Sequence, residues 1–215
     1  MYIHFDLPCD RQTQKRLHQK FRHKIKEWKR SGIVNRAVLT FHYSYPPKSS
    51  DSLYLCLDIP AVEEENKQKV ELSREKLKQI PSLVMLHISE TCHENRIKPR
   101  ITDFNVETEQ AKRSKEQRGE DYYDGAPIKD VLRFASVGTK IAFEVLDHLE
   151  TNENGWKSDM ELSRFIFLRL KDELGADYEW MDWALHFVCN SLLIPEGYIV
   201  SPRLKRAIET IIIDL

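Results

Sequence analysis

The sequence predicts an α+β protein built in two parts. Strand-like and helix-like patterns of apolar residues alternate over residues 1–90, whereas helix-like patterns dominate from Pro127 onward. Residues 1–120 hold 23 Lys and Arg against 17 Asp and Glu, a net of +6, and residues 121–215 hold 10 against 17, a net of −7. We therefore expect a mixed domain over 1–90, a charged linker with room for an extra strand over 91–126, and a helical domain over 127–215.

Six segments of the first part follow the order β-α-β-β-α-β. Strands are predicted at 2–7, 36–45, 53–59 and 83–89, and a charged helix at 62–80. The first helix, over 11–30, is predicted from apolar residues at spacings of 4, 4 and 3, namely Leu17, Phe21, Ile25 and Trp28. This order is that of the split βαβ, or ferredoxin-like, sandwich, in which two helices cover one face of an antiparallel sheet.

Alternation along the four predicted strands separates an apolar face from a polar face. Residues two apart on a strand point the same way, so Ile3, Phe5 and Leu7 should face the helices. The opposite face should carry Tyr2, His4, Asp6, Thr40, His42, Ser44, Tyr54, Cys56, Asp58, Met85, His87 and Ser89. The simplest interpretation is that His4, His42 and His87 are half-buried, hydrogen-bonded residues beneath the second domain or beneath the partner in a homodimer.

Two short motifs on this polar face suggest a different interpretation. His42-Tyr43-Ser44 and His87-Ile88-Ser89 resemble the H-x-[S/T] pattern of the two-histidine phosphoesterases, and the opening MYIHFDLP is similar to the start of that family. The resemblance implies a phosphodiester-processing enzyme in which His42, Ser44, His87 and Ser89 form the catalytic set. Its histidines would act as general acid and base, a task that suits a group titrating near neutral pH. The sequence leaves open whether catalysis occurs.

The first helix favours nucleic-acid binding instead. It carries a one-signed excess of cations opposed by Glu27 alone, and a basic face of this kind attracts phosphates. We expect the phosphate contacts to come from Lys15, Arg16, Lys20, Arg22, Lys24 and Arg30. Tyr2 and Tyr54 would stack bases on the sheet, a layout that resembles RNA-recognition modules without their glycine-and-aromatic signature. The expected partner is nucleic acid, RNA rather than DNA, or an acidic protein surface.

Helix signals continue through the last part of the chain. A helix is predicted over 128–149, with Gly138 as a candidate break. Ser158 and Glu161 form a capping box that opens a second helix, Gly175 ends it, and Asp177 caps a third. A turn at residues 195–197 between two short apolar runs and a final helix from residue 202 complete the order.

The last 80 or so residues, read in this order, resemble a winged-helix domain. The resemblance makes the third helix a recognition helix, whose exposed face should meet phosphates and base edges. That face carries Glu179 and Asp182, which would repel phosphate. We therefore expect this domain to bind protein or to pack on the basic half, and a protein-interaction scaffold is the third functional alternative.

Composition excludes several other classes of protein. No uncharged run approaches the 18 or so residues of a membrane span, so no membrane partner is expected. The four cysteines are widely spaced without a C-x-x-C pair, which fits a reducing cytoplasm and argues against a disulfide framework or a zinc knuckle. His4, His87 and a carboxylate would suit a transition metal, but they show no ligand spacing, and neither a metal nor a cofactor is predicted.

Overall fold

The computed structural model describes residues 2–42, 52–60, 71–104, 128–151, 156, 158–175 and 178–192 of the chain. Over these residues the protein is a mixed α+β structure, as the sequence predicts. The chain divides into two compact units. The first, the mixed unit, comprises residues 1–37 and 43–125, and the second, the helical unit, comprises residues 38–42 and 126–215.

Strands and helices alternate in the first half of the chain. They are β1 (Tyr2–Pro8), α1 (Arg11–Arg30), β2 (Arg36–His42), β3 (Ser52–Asp58), α2 (Glu71–Glu94) and β4 (Arg100–Phe104). The strand order in the sheet is β2-β3-β1-β4, and β1 pairs antiparallel with both β3 and β4. The register places His4 of β1 opposite Cys56 of β3 on one side and opposite Thr102 of β4 on the other.

Local sequence signals explain where α1 begins and ends. Asp10 caps its first turn, because a carboxylate oxygen of Asp10 accepts the Thr13 backbone N–H at 2.9 Å. The helix ends at Ser31, whose N–H bonds to the Glu27 carbonyl, and Gly32 then takes a positive φ of 69°. Between these ends, the predicted apolar stripe is at most 3% exposed at Leu17, Phe21, Ile25 and Trp28.

The apolar face of the sheet forms the rest of the mixed unit's core. Ile3, Phe5 and Leu7 of β1 are buried, as predicted, and so are the three leucines of β3, Leu53, Leu55 and Leu57. Alternate residues of paired antiparallel strands lie on the same face, so the six side chains form one continuous apolar surface. The polar residues that alternate with these six along the strands therefore lie on the opposite face of the sheet.

The predicted strand over 83–89 is wrong, because these residues lie inside α2. The buried residues of this stretch recur every four positions, at Ile80, Val84, Ile88 and Cys92, which is the period of a helix. Leu86, which strand alternation would bury, is 56% exposed. Pro81 lies inside the helix and does not end it. The fourth strand is β4, within the segment expected to be a linker with room for a strand.

Three helices make up the described part of the helical unit beyond residues 38–42. They are α3 (Ile128–Thr151), α4 (Asp159–Leu174) and α5 (Tyr178–Leu192). The predicted caps of α4 are confirmed, since the Glu161 N–H donates to Ser158 Oγ at 3.2 Å and Gly175 follows the helix with φ 75°. The predicted turn at 195–197, the final helix and the side chains of Glu179 and Asp182 lie outside the described residues.

Gly138 does not break α3, which is continuous through this position. It lies instead where α3 and α5 approach each other closely. A Cβ atom at Gly138 would lie 2.5 Å from the Ala184 carbonyl oxygen and 2.6 Å from the Phe187 Cβ atom. Glycine therefore permits a packing distance that no other residue allows here. None of the helices in the described ranges is long and apolar enough to cross a membrane.

Candidate nucleic-acid interface

The outward face of α1 is a basic surface. The helix contains nine Lys and Arg residues and one acid, Glu27. Because its apolar stripe packs inward, most of the cations on the remaining positions face solvent. The exposed cations include Lys15, Arg16, Lys20, Lys29 and Arg30, and we call this set the basic face. The set runs along the helix from residue 15 to residue 30, about four turns, a length suited to several phosphates of one strand.

Two of the predicted phosphate contacts are engaged in ion pairs. Lys20 Nζ lies 3.0 Å from a carboxylate oxygen of Glu94 on α2, and hydrogen bonding to Lys20 lowers the pKa of Glu94. Lys24 Nζ lies 2.8 and 2.9 Å from the two carboxylate oxygens of Glu27. A neighbouring carboxylate offsets the attraction of each lysine for phosphate. Lys15, Arg16 and Arg30 are therefore the stronger members of the predicted set.

Arg22 is not on the basic face, so its predicted role as a phosphate contact is wrong. The residue is only 2% exposed and belongs to a buried polar stripe with Gln14 and His18, four residues apart along α1. Burial, together with the nearby charge of Arg22, lowers the pKa of His18 to about 3. The inward surface of α1 is thus wider than its apolar residues alone indicate.

The polar face of the sheet is not an open platform at its centre. His4 and Cys56 face each other across β1 and β3, and each is only 7% exposed. Strand alternation assigns these residues to a face but does not show whether that face is covered, and at these two residues it is covered. For His4, the burial agrees with the simplest interpretation of the sequence.

Tyr54 lies beside this buried centre and is half-buried. Its ring stacks on the His4 ring, with centroids 5.0 Å apart and planes 11° from parallel. Asp6 lies opposite Tyr54 in the register and forms an ion pair with Arg100 of β4 at 3.7 Å. The stacking on His4 holds the Tyr54 ring in a fixed orientation. The side chain of Tyr2, the other predicted stacking residue, lies outside the described residues.

The structure does not place His87 and Ser89 on the sheet. Both belong to α2, where the His87 ring meets the edge of Trp28 of α1, with centroids 5.5 Å apart and planes at 86°. Burial lowers the pKa of His87, and the charge of Lys24 adds to this effect. The side chain of His42 and residue Ser44 lie outside the described residues. The expected surface shared by two H-x-S motifs is therefore wrong for its second member.

The thiols and carboxylates offer little other chemistry. Among the described residues, no group of three or more His, Cys, Asp and Glu side chains is placed to hold a metal ion. No disulfide bond joins any of the four cysteines, all of which lie in the described ranges. Burial raises the pKa of Cys9 to about 12 and that of Cys92 to about 11, so both remain protonated and poorly nucleophilic at neutral pH.

The chain matches no protein-family model, no curated protein and no solved structure at a significant level. Its function is therefore inferred from its own charges, contacts and burial. Of the surfaces described, the basic face of α1 is the one that combines exposure with a strong single sign of charge.

Proposed function

We propose that this protein binds nucleic acid through phosphate contacts made by the basic face of α1. The observation that carries the proposal is that a helix with nine cations and one acid keeps Lys15, Arg16, Lys29 and Arg30 exposed. Phosphate contacts supply most sequence-independent affinity for nucleic acid, because each one releases condensed counterions. We favour a binding or regulatory role without chemistry. The predicted catalytic set needs His87 and Ser89 on the sheet, whereas both lie on α2, where His87 packs against Trp28.

RNA is the favoured nucleic acid. Single-stranded RNA offers unstacked bases, which proteins bind by stacking them on aromatic rings. Tyr54 supplies a half-buried ring stacked on His4. This ring lies on the polar face of the sheet, opposite the apolar face that α1 covers, so a strand that contacts both must pass around the edge of the sheet. An acidic protein surface would also meet the charge requirement of α1, but it would gain nothing from such a ring. Protein binding thus becomes an alternative outcome of the test below.

The two units fit this proposal with separate roles. We propose that the mixed unit is a ferredoxin-like domain, which the β-α-β-β-α-β order and the strand order β2-β3-β1-β4 support. For the helical unit we propose a winged-helix-like domain that binds protein, supported by the three helices α3, α4 and α5. For the location we propose the cytoplasm, which fits four cysteines without a disulfide bond.

The test compares variants that lose three charges at different places. Lys15, Arg16 and Arg30 are changed together to Gln on α1, and the matched control changes three exposed cations of the helical unit, Arg133, Arg164 and Lys171. Binding of a labelled single-stranded RNA is measured by fluorescence anisotropy. We expect the α1 variant to bind roughly 100-fold more weakly near 0.1 M salt, since each lost contact to a single strand costs about a factor of five.

The control variant should bind within about threefold of the parent protein, because long-range charge is screened beyond about 10 Å at this salt concentration. An equal loss in both variants would mean that total charge alone drives binding. Preference of the parent protein for an acidic protein over RNA would replace the proposal with the protein-binding alternative. A double variant, Lys20→Gln with Lys24→Gln, should weaken binding by less than the roughly 25-fold expected for two lost contacts, because both lysines already face carboxylates.

A further inference from the structure

One residue of β2 is held through its backbone by two helices. The Leu39 N–H donates to Thr139 Oγ1 on α3 at 3.2 Å. Ser191 Oγ on α5 donates to the Leu39 carbonyl oxygen at 2.8 Å. Thr139, Ser191 and Leu39 are all at most 1% exposed, so neither bond is made in competition with bulk water.

The geometry of a strand gives these two bonds a specific meaning. The N–H and C=O groups of one strand residue point to the same side of the strand. Both backbone groups of Leu39 are thus satisfied along one edge of β2 by hydroxyl groups. Leu39 lies within residues 38–42, which group with the helical unit, so both hydrogen bonds are made inside that unit.

The close helix crossing explains how hydroxyls from two helices reach the same residue. Gly138 immediately precedes Thr139, and because it has no Cβ, α5 can approach α3 closely at this position. A Cβ atom at Gly138 would lie only 2.5 Å from the Ala184 carbonyl oxygen. Each hydroxyl also plays a different role in these two hydrogen bonds. Thr139 accepts from the N–H, and Ser191 donates to the C=O, which together satisfy an extended backbone whatever its side chain.

We infer that α3 and α5 form a binding site for the edge of an extended β-strand, and that the occupant is this chain's own segment 38–42. Residues 38–42 group with the helical unit, in agreement with this assignment. The site recognises the backbone N–H and C=O of Leu39 and therefore does not depend on the identity of its side chain. This inference is independent of the proposed nucleic-acid binding.

The test uses the full chain and removes the hydroxyls while preserving side-chain volume as far as possible. The variant combines Thr139→Val with Ser191→Ala, and hydrogen exchange of single backbone amides is followed by NMR. We expect the Leu39 amide to exchange at least about tenfold faster than in the parent protein, because its acceptor is gone. The amides of Phe5 and Leu55 in the centre of the sheet should keep their rates within about twofold.

Two further variants separate recognition from general loosening. Ser136→Ala removes a buried hydroxyl from the same helix α3 and should leave the Leu39 amide protected. Thr139→Ser keeps a hydroxyl and should restore most of the protection that Thr139→Val removes. Unchanged exchange of Leu39 in the hydroxyl-free variant would overturn the inference, and so would equal acceleration by Ser136→Ala. If the double variant does not fold, Thr139→Val alone is compared with Thr139→Ser by the same measurement.

Discussion

Gly138→Ala tests the packing of the helical unit most sharply. In an exposed helix, replacing glycine by alanine stabilises the folded chain by about 1 kcal/mol, because alanine loses less backbone entropy. At Gly138 the added methyl carbon would lie 2.5 Å from the Ala184 oxygen, 2.6 Å from the Phe187 Cβ and 3.0 Å from the Val188 nitrogen. We therefore expect the substitution to destabilise the protein instead.

The size of the effect follows from which atoms must move. Carbon atoms in ordinary contact are about 3.5–4.0 Å apart, so α3 and α5 would have to separate by roughly 1 Å at this crossing. Two of the three crowded atoms belong to the backbone of α5 and cannot rotate away. Overpacking of a well-packed core costs about 1–3 kcal/mol and at times more. After the gain in helix propensity, we expect a net loss of about 2 kcal/mol.

Tryptophan fluorescence during urea or thermal unfolding measures this loss. Three of the four tryptophans, Trp156, Trp180 and Trp183, belong to the helical unit, so the signal follows mainly that unit. A loss of about 2 kcal/mol should lower the midpoint by about 4–8 °C for a chain of this size. Gly32→Ala is the comparison without crowding: no atom lies within 4 Å of its new Cβ, so its loss of about 1–2 kcal/mol comes only from the positive φ, which alanine disfavours. A Gly138→Ala protein at least as stable as the parent would refute the described helix crossing.

Three other predictions concern single residues. Burial and the charge of Arg22 lower the pKa of His18 from 6.5 to about 3, so the unfolded chain alone gains this proton as the pH falls below 6.5. The free energy of unfolding should therefore fall by about 2 kcal/mol between pH 7 and pH 5. In the His18→Gln variant, urea unfolding at the two pH values should not show this fall. Arg169→Lys should lose about 1 kcal/mol, less at high salt, because Arg169 contacts both carboxylate oxygens of Glu144, at 2.7 and 2.9 Å; an unchanged urea midpoint would contradict this. Ser158→Ala should lower the free energy of unfolding by about 1 kcal/mol, whereas Ser158→Asp keeps a capping oxygen and should unfold at the parent's temperature. Equal thermal midpoints for the alanine variant and the parent would contradict the cap of α4.

Local signals account for the parts of the fold that the sequence predicts well. The apolar stripe of α1 and its Asp10 cap define that helix without reference to the rest of the chain. The same holds for α4, which is bounded by Ser158 and Gly175. The prediction of a strand over residues 83–89 is wrong for a local reason as well. Val84, Leu86 and Ile88 alternate like a strand, and Pro81 suggests a boundary, so a short apolar run inside a helix is indistinguishable from a strand by period alone.

The candidate site is less predictable, because its features depend on contacts distant in sequence. Lys20 forms an ion pair with Glu94, which is 74 residues away in the sequence, and no local pattern near either residue predicts this pair. Arg22 lies beside the apolar stripe of α1, and only the tertiary structure shows that its position is covered. A count of cations on a helix therefore overstates the charge available to phosphate. The direction of the basic face is predictable, whereas its membership is not.

The salt dependence of RNA binding tests the central claim, that the exposed cations of α1 contact phosphates. Affinity of the parent protein for a single-stranded RNA is measured at several salt concentrations between about 50 and 200 mM. Four phosphate contacts, from Lys15, Arg16, Lys29 and Arg30, predict a slope of log K against log salt near −3, since each contact to a single strand contributes about −0.7. An affinity independent of salt, or no binding at about 50 mM salt, would contradict the claim.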